Sequence, residues 1–166
     1  EGDEGLAQID VIGVPSDIVV TFGDAALTAD GASSTAVTVT IERNGVPVTD
    51  EVVTLASAEG AVGDVTNNGD ATYSATFTVG TVSGTATVTA TATVSGDKGA
   101  GQLTLNPGPP SAIASISATP DTIRGDGIST ATVMATLVDE FGNAVPGVAG
   151  LTAAVSDGVG SVGDVS

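Results

Sequence analysis

Gly84-Thr85-Ala86-Thr87-Val88-Thr89-Ala90-Thr91-Ala92-Thr93-Val94 sets Ala and Val on one side of an extended chain and Thr on the other. Alternation with a period of two is the pattern of a strand with one buried and one wet face. A helix would scatter these threonines around its axis and restrict the side-chain rotation of each. The stretch therefore predicts a strand over 84–94, with Val88 and Val94 facing a core. Just beyond it, Gly96-Asp97-Lys98-Gly99-Ala100-Gly101-Gln102-Leu103 echoes Gly2-Asp3-Glu4-Gly5-Leu6-Ala7-Gln8-Ile9 near the start. An echo of this kind marks a repeat array.

Working outward from that strand, the echo extends over most of the chain. Gly2 maps onto Gly96 at an offset of 94, Ser16 onto Ser111 at 95, and Ala29-Asp30-Gly31 onto Gly125-Asp126-Gly127 at 96. Val46-Pro47 maps onto Val145-Pro146 at 99, and Val62–Thr66 onto Val162–Ser166 at 100. The offset only creeps upward, as small insertions would make it, and a repeat of this length is a whole domain. Within the complete copy, alternation and turn residues predict strands over 18–22, 35–41, 52–56, 71–79, 84–94 and 100–105. Asn44-Gly45 and Asn67-Asn68-Gly69-Asp70 supply turns, and Pro47 suits an edge. Further strands are expected over 6–11, 113–116, 130–138 and 151–155. About seven short strands per unit with turn signals between them describe an all-β fold of tandem immunoglobulin-like antiparallel β-sandwiches. The expected core of the complete copy is Val37, Val39, Ile41, Val53, Leu55, Tyr73, Phe77, Val88 and Val94. The expected organisation is the last strand of a preceding domain in 1–15, a complete domain in 16–108, and the first half of a following domain in 109–166.

Composition narrows the function classes. Against 20 acidic residues stand only 3 basic ones, for a net charge of −17, which repels nucleic acid and anionic membrane surfaces. Neither Cys nor His occurs, so disulfides, thiol chemistry, imidazole bases and the commonest transition-metal ligands are absent together. A 41% hydrophobic content argues against disorder, while aromatics at 2% make the core thin and sheet-like. No apolar run approaches the roughly 20 residues of a membrane helix, and any export leader is expected outside this stretch.

Several turn and core runs resemble the bacterial immunoglobulin-like domains of the invasin and intimin type. They are Ala29-Asp30-Gly31-Ala32-Ser33-Ser34, Asn44-Gly45-Val46-Pro47-Val48, Asn68-Gly69-Asp70-Ala71-Thr72-Tyr73 and Gly84-Thr85-Ala86-Thr87-Val88. In the second copy, Gly125-Asp126-Gly127-Ile128-Ser129-Thr130 and Val138-Asp139-Glu140-Phe141-Gly142-Asn143-Ala144-Val145-Pro146-Gly147 match more closely. The resemblance covers nearly the whole chain in order. It implies tandem spacer domains of extracellular adhesins and other surface proteins, and transfers no adhesive or catalytic residue.

Candidate sites are few. Lys98, Arg43 and Arg124 sit beside turn signals and read as solvated turn residues. Asp50-Glu51 and Asp139-Glu140 are adjacent, and neighbours on a strand point to opposite faces, so neither is an acid–base pair. No catalytic or cofactor-binding residue is assigned, and the chain is read as non-enzymatic. Asp64-Val65-Thr66-Asn67-Asn68-Gly69-Asp70 has oxygen ligands at the spacing of a calcium loop, making Asp64, Asn68 and Asp70 weak calcium candidates. That loop needs a bidentate Glu where Ala75 stands, and a hairpin turn explains the same residues. A junction ion held by Asp3, Asp24, Asp97 and Asp121 is a second metal reading. Asn106-Pro107-Gly108-Pro109-Pro110 reads as a short, semi-rigid linker.

The reading is therefore a non-enzymatic extracellular spacer of a surface adhesin, appendage or fibre, on a cell surface or a virion. Its partners are neighbouring immunoglobulin-like domains, with no nucleic acid and no membrane insertion. Two alternatives stay open. One is a binding module that contacts a receptor or glycan through sandwich loops. The other is a homopolymer, a filament subunit completed by strand donation from a neighbour.

Overall fold

The computed structural model describes residues 14, 16–148, 151–154 and 160–163. Every element among them is a strand. In order these are β1 (Asp17–Phe22), β2 (Ala26–Thr28), β3 (Ser34–Arg43), β4 (Val46–Pro47), β5 (Val53–Ala56) and β6 (Gly60–Val62). There follow β7 (Thr66–Asn67), β8 (Thr72–Val79), β9 (Gly84–Ala92), β10 (Lys98–Asn106), β11 (Ala112–Thr119) and β12 (Thr132–Val138). Three sheets result. One runs β1-β3-β8-β6, with β4 on β3 and β7 on β8; the second runs β2-β10-β9-β5; the third is the β11-β12 pair.

The first two sheets form a sandwich, and the alternation that predicted it also decides which residues lie between them. On β9, Ala86, Val88, Ala90 and Ala92 are buried while Thr87, Thr89 and Thr91 are half-buried on the outer side. On β3, Thr35, Val37, Val39 and Ile41 are buried, and on β8 Tyr73, Phe77 and Val79. Leu103 and Leu105 of β10 close the core. The register is thus the expected one, and Thr89→Ala is expected to change unfolding free energy by no more than about 0.5 kcal/mol, as at a surface site. Urea denaturation checks this; a larger loss would mean that the outer face is packed.

One expected core residue departs from the alternation, and another keeps to it but is less deeply buried. Val94 is 71% exposed, because the strand ends at Ala92. There the Gly96 N–H donates to the Ala92 carbonyl and the Ala92 N–H to the Asp97 carbonyl, 2.8 and 2.9 Å, so a turn takes the backbone out of the sheet. Gly96, at φ 81°, supplies the left-handed corner. Leu55 is half-buried, since β5 is an edge strand that meets the core on one side only.

Four strands are additions to the expected set: β2, β4, β6 and β7, each of two or three residues. β2 matters most. After β1 the chain breaks at Gly23 and crosses to the other sheet, where Ala26–Thr28 pair parallel with Thr104–Asn106. One segment therefore closes an edge of both sheets.

β11 and β12 repeat the β1–β3 hairpin in register. Ile113 pairs with Leu137 and Ala112 with Val138, as Ile18 pairs with Ile41 and Asp17 with Glu42. Part of the creeping offset now has a cause: a bulge between Ile113 and Ser115 adds one residue to β11. Beyond it Ile116 pairs with Ala135 as Val20 pairs with Val39. Downstream, Val145 N–H donates to the Leu137 carbonyl at 2.9 Å as Val48 N–H donates to Ile41 at 3.0 Å. Val145 is thus the hydrogen-bonding counterpart of Val48, where sequence alone had matched it to Val46. The strand expected over 130–138 begins at Thr132, and residues 151–154 lie outside any strand. Val155 and the strand expected over 6–11 fall outside the described residues.

Candidate functional site: the joint between the sandwich and the second hairpin

Each end of the sandwich is sealed by a polar network. At the end where β1 begins, Glu51 is 5% exposed and its Oε2 accepts the N–H groups of Val94 and Ser95, both at 3.3 Å. Its Oε1 meets Arg43 at 3.4 Å, and Arg43 also donates to Ser16 Oγ at 2.9 Å. Arg43 is therefore tied into the fold rather than solvated as its turn position suggested. The Tyr73 hydroxyl donates to the Glu51 carbonyl at 2.9 Å; burial, and then the charges of Glu51 and Asp50, raise its pKa. Asp97 accepts the Ser16 N–H at 2.7 Å, the main reason its carboxyl lies below the ordinary range.

The opposite end meets β11 and β12, and here one loop does the joining. Between β12 and Ala144, residues 139–143 fold back on the Asp139 carboxylate. Its Oδ1 accepts the N–H groups of Phe141 and Asn143 at 2.9 and 2.8 Å. Its Oδ2 accepts the linker Gly108 N–H at 2.9 Å and the Asn143 amide at 2.8 Å. The Asn143 side chain then crosses to the sandwich. Its Nδ2 donates to the Thr81 carbonyl and its Oδ1 accepts the Ser83 N–H, each at 2.8 Å. The carboxamide thereby uses one donor and its acceptor across the joint, and its other donor on Asp139 within its own loop.

Asp139 is 2% exposed. Desolvation is the largest single influence on its carboxyl and pushes the pKa up. The Asn143 amide and the N–H groups of Gly108, Asn143 and Phe141 together outweigh it and hold the value at about 2. Since the folded value lies below the ordinary 3.8, the contribution is complete above about pH 4 and is lost as pH falls toward 2. The Gly108 amide resonance is accordingly expected to stay fixed from neutral pH to about pH 4 and to move only below it. Movement near pH 6 would mean the carboxylate is not held in this way.

The other candidates are placed apart. Of the two carboxylate pairs, neither lies on a strand, contrary to the premise of strand neighbours; Glu51 and Asp139 are buried while Asp50 and Glu140 are exposed. Around the calcium candidates, the local turn uses the oxygens. Asp70 Oδ1 accepts the Thr72 N–H at 3.1 Å and the Thr72 hydroxyl, Asn67 Oδ1 accepts the Gly69 N–H at 2.8 Å, and Asn68 Oδ1 accepts the Ser74 hydroxyl at 3.2 Å. Asp64 is exposed. EDTA is expected to leave the melting temperature unchanged; a fall reversed by calcium, and lost in Asp64→Asn with Asp70→Asn, would make this turn a ligand. Asp24 and Asp97 lie at opposite ends of β1, and no group of three acidic side chains forms among the described residues, so the junction-ion set does not converge. Asp3 lies outside the described residues.

The sequence profile of the family described as invasin, domain 3, matches residues 14–108, more than half of the chain. The chain belongs to this family. Among solved structures, InvD of Yersinia pseudotuberculosis is 30% identical with a TM-score of 0.62, over 77% of this chain and 38% of InvD. Invasin, described as a bacterial integrin-binding protein, is 26% identical with a TM-score of 0.59, over 78% of this chain and 28% of invasin. The chain thus spans less than half of either relative. No curated protein sequence matches it. The family profile ends at residue 108, so the Asp139–Asn143 loop lies beyond the stretch that established membership of the invasin family.

Sequence reasoning weighed Asp139 only as half of a carboxylate pair with Glu140, and Asn143 only as part of a family-like run of turn and core residues. Their signal was present: a carboxylate followed four residues later by a carboxamide, with a glycine between, beside a proline-rich linker. What it did not carry was the partner, since Thr81 and Ser83 stand about 60 residues earlier.

Proposed function

We propose that the chain is a non-enzymatic structural segment of a bacterial surface adhesin, whose work is to hold neighbouring domains at a set distance and angle. The observation that carries this is the joint. Asn143 and Asp139 tie the second hairpin and the linker to the end of the sandwich through Thr81, Ser83 and Gly108. A spacer needs rigid units and defined connections, and both are built here from backbone ladders and one short loop. Absence of His and Cys from the whole sequence supports the non-enzymatic reading.

On this reading residues 16–108 are the complete immunoglobulin-like domain, and the β11–β12 hairpin opens a following one. Supporting this, Ile113, Ile116 and Val133 are 54%, 65% and 57% exposed at positions where Ile18, Val20 and Val37 are buried. Strands of the β9–β10 type would cover them, as the facing sheet covers β1 and β3 in the sandwich. The surface location is tested in cells producing the full protein, with an epitope inserted in the exposed Asn67–Asp70 turn. Labelling of intact cells is expected. Labelling only after lysis would overturn the surface reading.

A further inference from the structure

We infer that joint stiffness in this protein is written into a single hairpin loop, with Asn143 as the residue that sets the interdomain angle and Asp139 as the group that pre-organises it. The inference deepens the spacer reading and rests on it. It comes from comparing two loops that occupy the same place in two copies of one hairpin. After β3, Arg43 pairs with Val46 and leaves a two-residue turn, with Asn44 and Gly45 at φ 55° and 73°. After β12, the bridge between Val138 and Ala144 leaves five residues, 139–143. Beyond both loops the same backbone bond resumes, Val48 to Ile41 and Val145 to Leu137. Counted between the equivalent pairs, Glu42 with Pro47 and Val138 with Ala144, the loops hold four and five residues, so one added residue separates a closed turn from a loop able to reach outward.

Chemistry at the first loop position then decides what each does. Asp139 collects the N–H groups of its own loop, so the loop is ordered before it meets anything else. Gly142, at φ 87°, takes the left-handed corner that brings Asn143 back over the carboxylate. The carboxamide is left aimed at Thr81 and Ser83. The receiving loop is fixed too, because the Gly31 N–H donates to the Gly80 carbonyl at 3.2 Å and the Gly80 N–H to Glu59 at 2.8 Å. Two pre-ordered sides lose little entropy on meeting, which is what makes three short bonds enough to hold an angle.

Arg43 stands where Asp139 does in the second copy, and it turns inward to Ser16 and Glu51. A guanidinium cannot accept the loop N–H groups or a linker N–H. The Arg43–Val46 loop therefore offers no latch of this kind. Joints with and without the latch would then be distinguished by loop sequence: a carboxylate first and a carboxamide fifth for the latched form, and an Asn-Gly turn for the other.

Pulsed electron–electron distance measurement on the full protein tests this. Labels go on Thr54→Cys and Ser117→Cys, exposed strand positions on either side of the joint; no native Cys interferes in this stretch. A single narrow distance distribution is expected. Asn143→Ala is expected to widen it at least twofold. So is replacement of residues 139–143 by the four-residue sequence of 43–46, a loop that already closes the same hairpin. Circular dichroism and retained β11–β12 amide protection would show that both variants stay folded. A distribution that keeps its width in both variants, or is already broad without them, overturns the latch. Neither result bears on surface labelling, which tests the surface reading separately.

Discussion

Replacing Phe77 by Ala is expected to cost about 3–5 kcal/mol of unfolding free energy, a large share of the 5–15 kcal/mol typical of a single domain. The magnitude follows from how little else fills this core. Its buried apolar residues are mostly Ala and Val, with Tyr73 and Phe77 as the aromatic side chains fully enclosed. The Phe77 ring meets Phe22 edge-on, with centroids 6.2 Å apart and planes at 66°. Its rim is sheltered by Gly60, where an added Cβ would lie 2.7 Å from two ring carbons, so β6 passes over the ring because it has no side chain there. With the ring gone, β6 cannot sink into the space, since its pairing with β8 fixes Gly60 opposite Val79. The hole stays open. Urea unfolding at constant m-value measures the loss; less than about 1 kcal/mol would mean the sheets collapse onto the gap.

How much of this was legible in the sequence depends on whether a feature is periodic, local or remote. Period-two alternation on β3, β8 and β9 assigns the inner face correctly through Ala92, because pleat geometry turns composition directly into orientation. It fails at Val94, where the alternation of residue types continues but Gly96 has already turned the backbone out of the sheet. Strands of two or three residues, such as β2 and β7, are too short to show a period, and tertiary pairing alone creates them. The repeat was legible as an echo, yet the extra residue in β11 is a bulge and not the loop insertion that a rising offset suggests. At the joint, the residue types were visible and their meaning was not. Asp126 shows the local side of this contrast. It accepts from the Ile128 and Ser129 N–H groups as Asp30 does from Ala32 and Ser33, a bond pattern contained within four residues. Asn143 spends its amide on residues far away in sequence, and spacing along the chain holds no record of that.

Gly99→Ala is expected to be the most damaging one-carbon change in the sandwich, at about 3 kcal/mol, the upper end of the usual overpacking range. β10 carries glycine at 99 and 101, two residues apart and so on one face, and that face lies against β1 where the two sheets meet at a corner. An added Cβ at Gly101 would stand 2.6 Å from the Val20 carbonyl oxygen and 3.0 Å from Val20 Cγ1. At Gly99 it would press closer still on the Ile18 carbonyl, and the Ile18 Cβ would be 2.8 Å away. Both neighbours are backbone or the root of a side chain, which cannot swing aside. β1 is held on its other side by six paired positions with β3, so relief means moving a whole strand. The N-terminal echo of β10 ranks the two positions in the same order. It keeps Gly5 in the place of Gly99 but has Ala7 in the place of Gly101. Gly101→Ala is accordingly expected to cost about 1 kcal/mol, at the lower end of the same range. Measured side by side in urea, the two variants separate a corner contact from a general dislike of alanine on this strand. Equal losses would show that strand propensity, and not the approach of β1, decides the outcome. A Gly99→Ala protein as stable as the parent would mean that the sheets part at this corner at no cost.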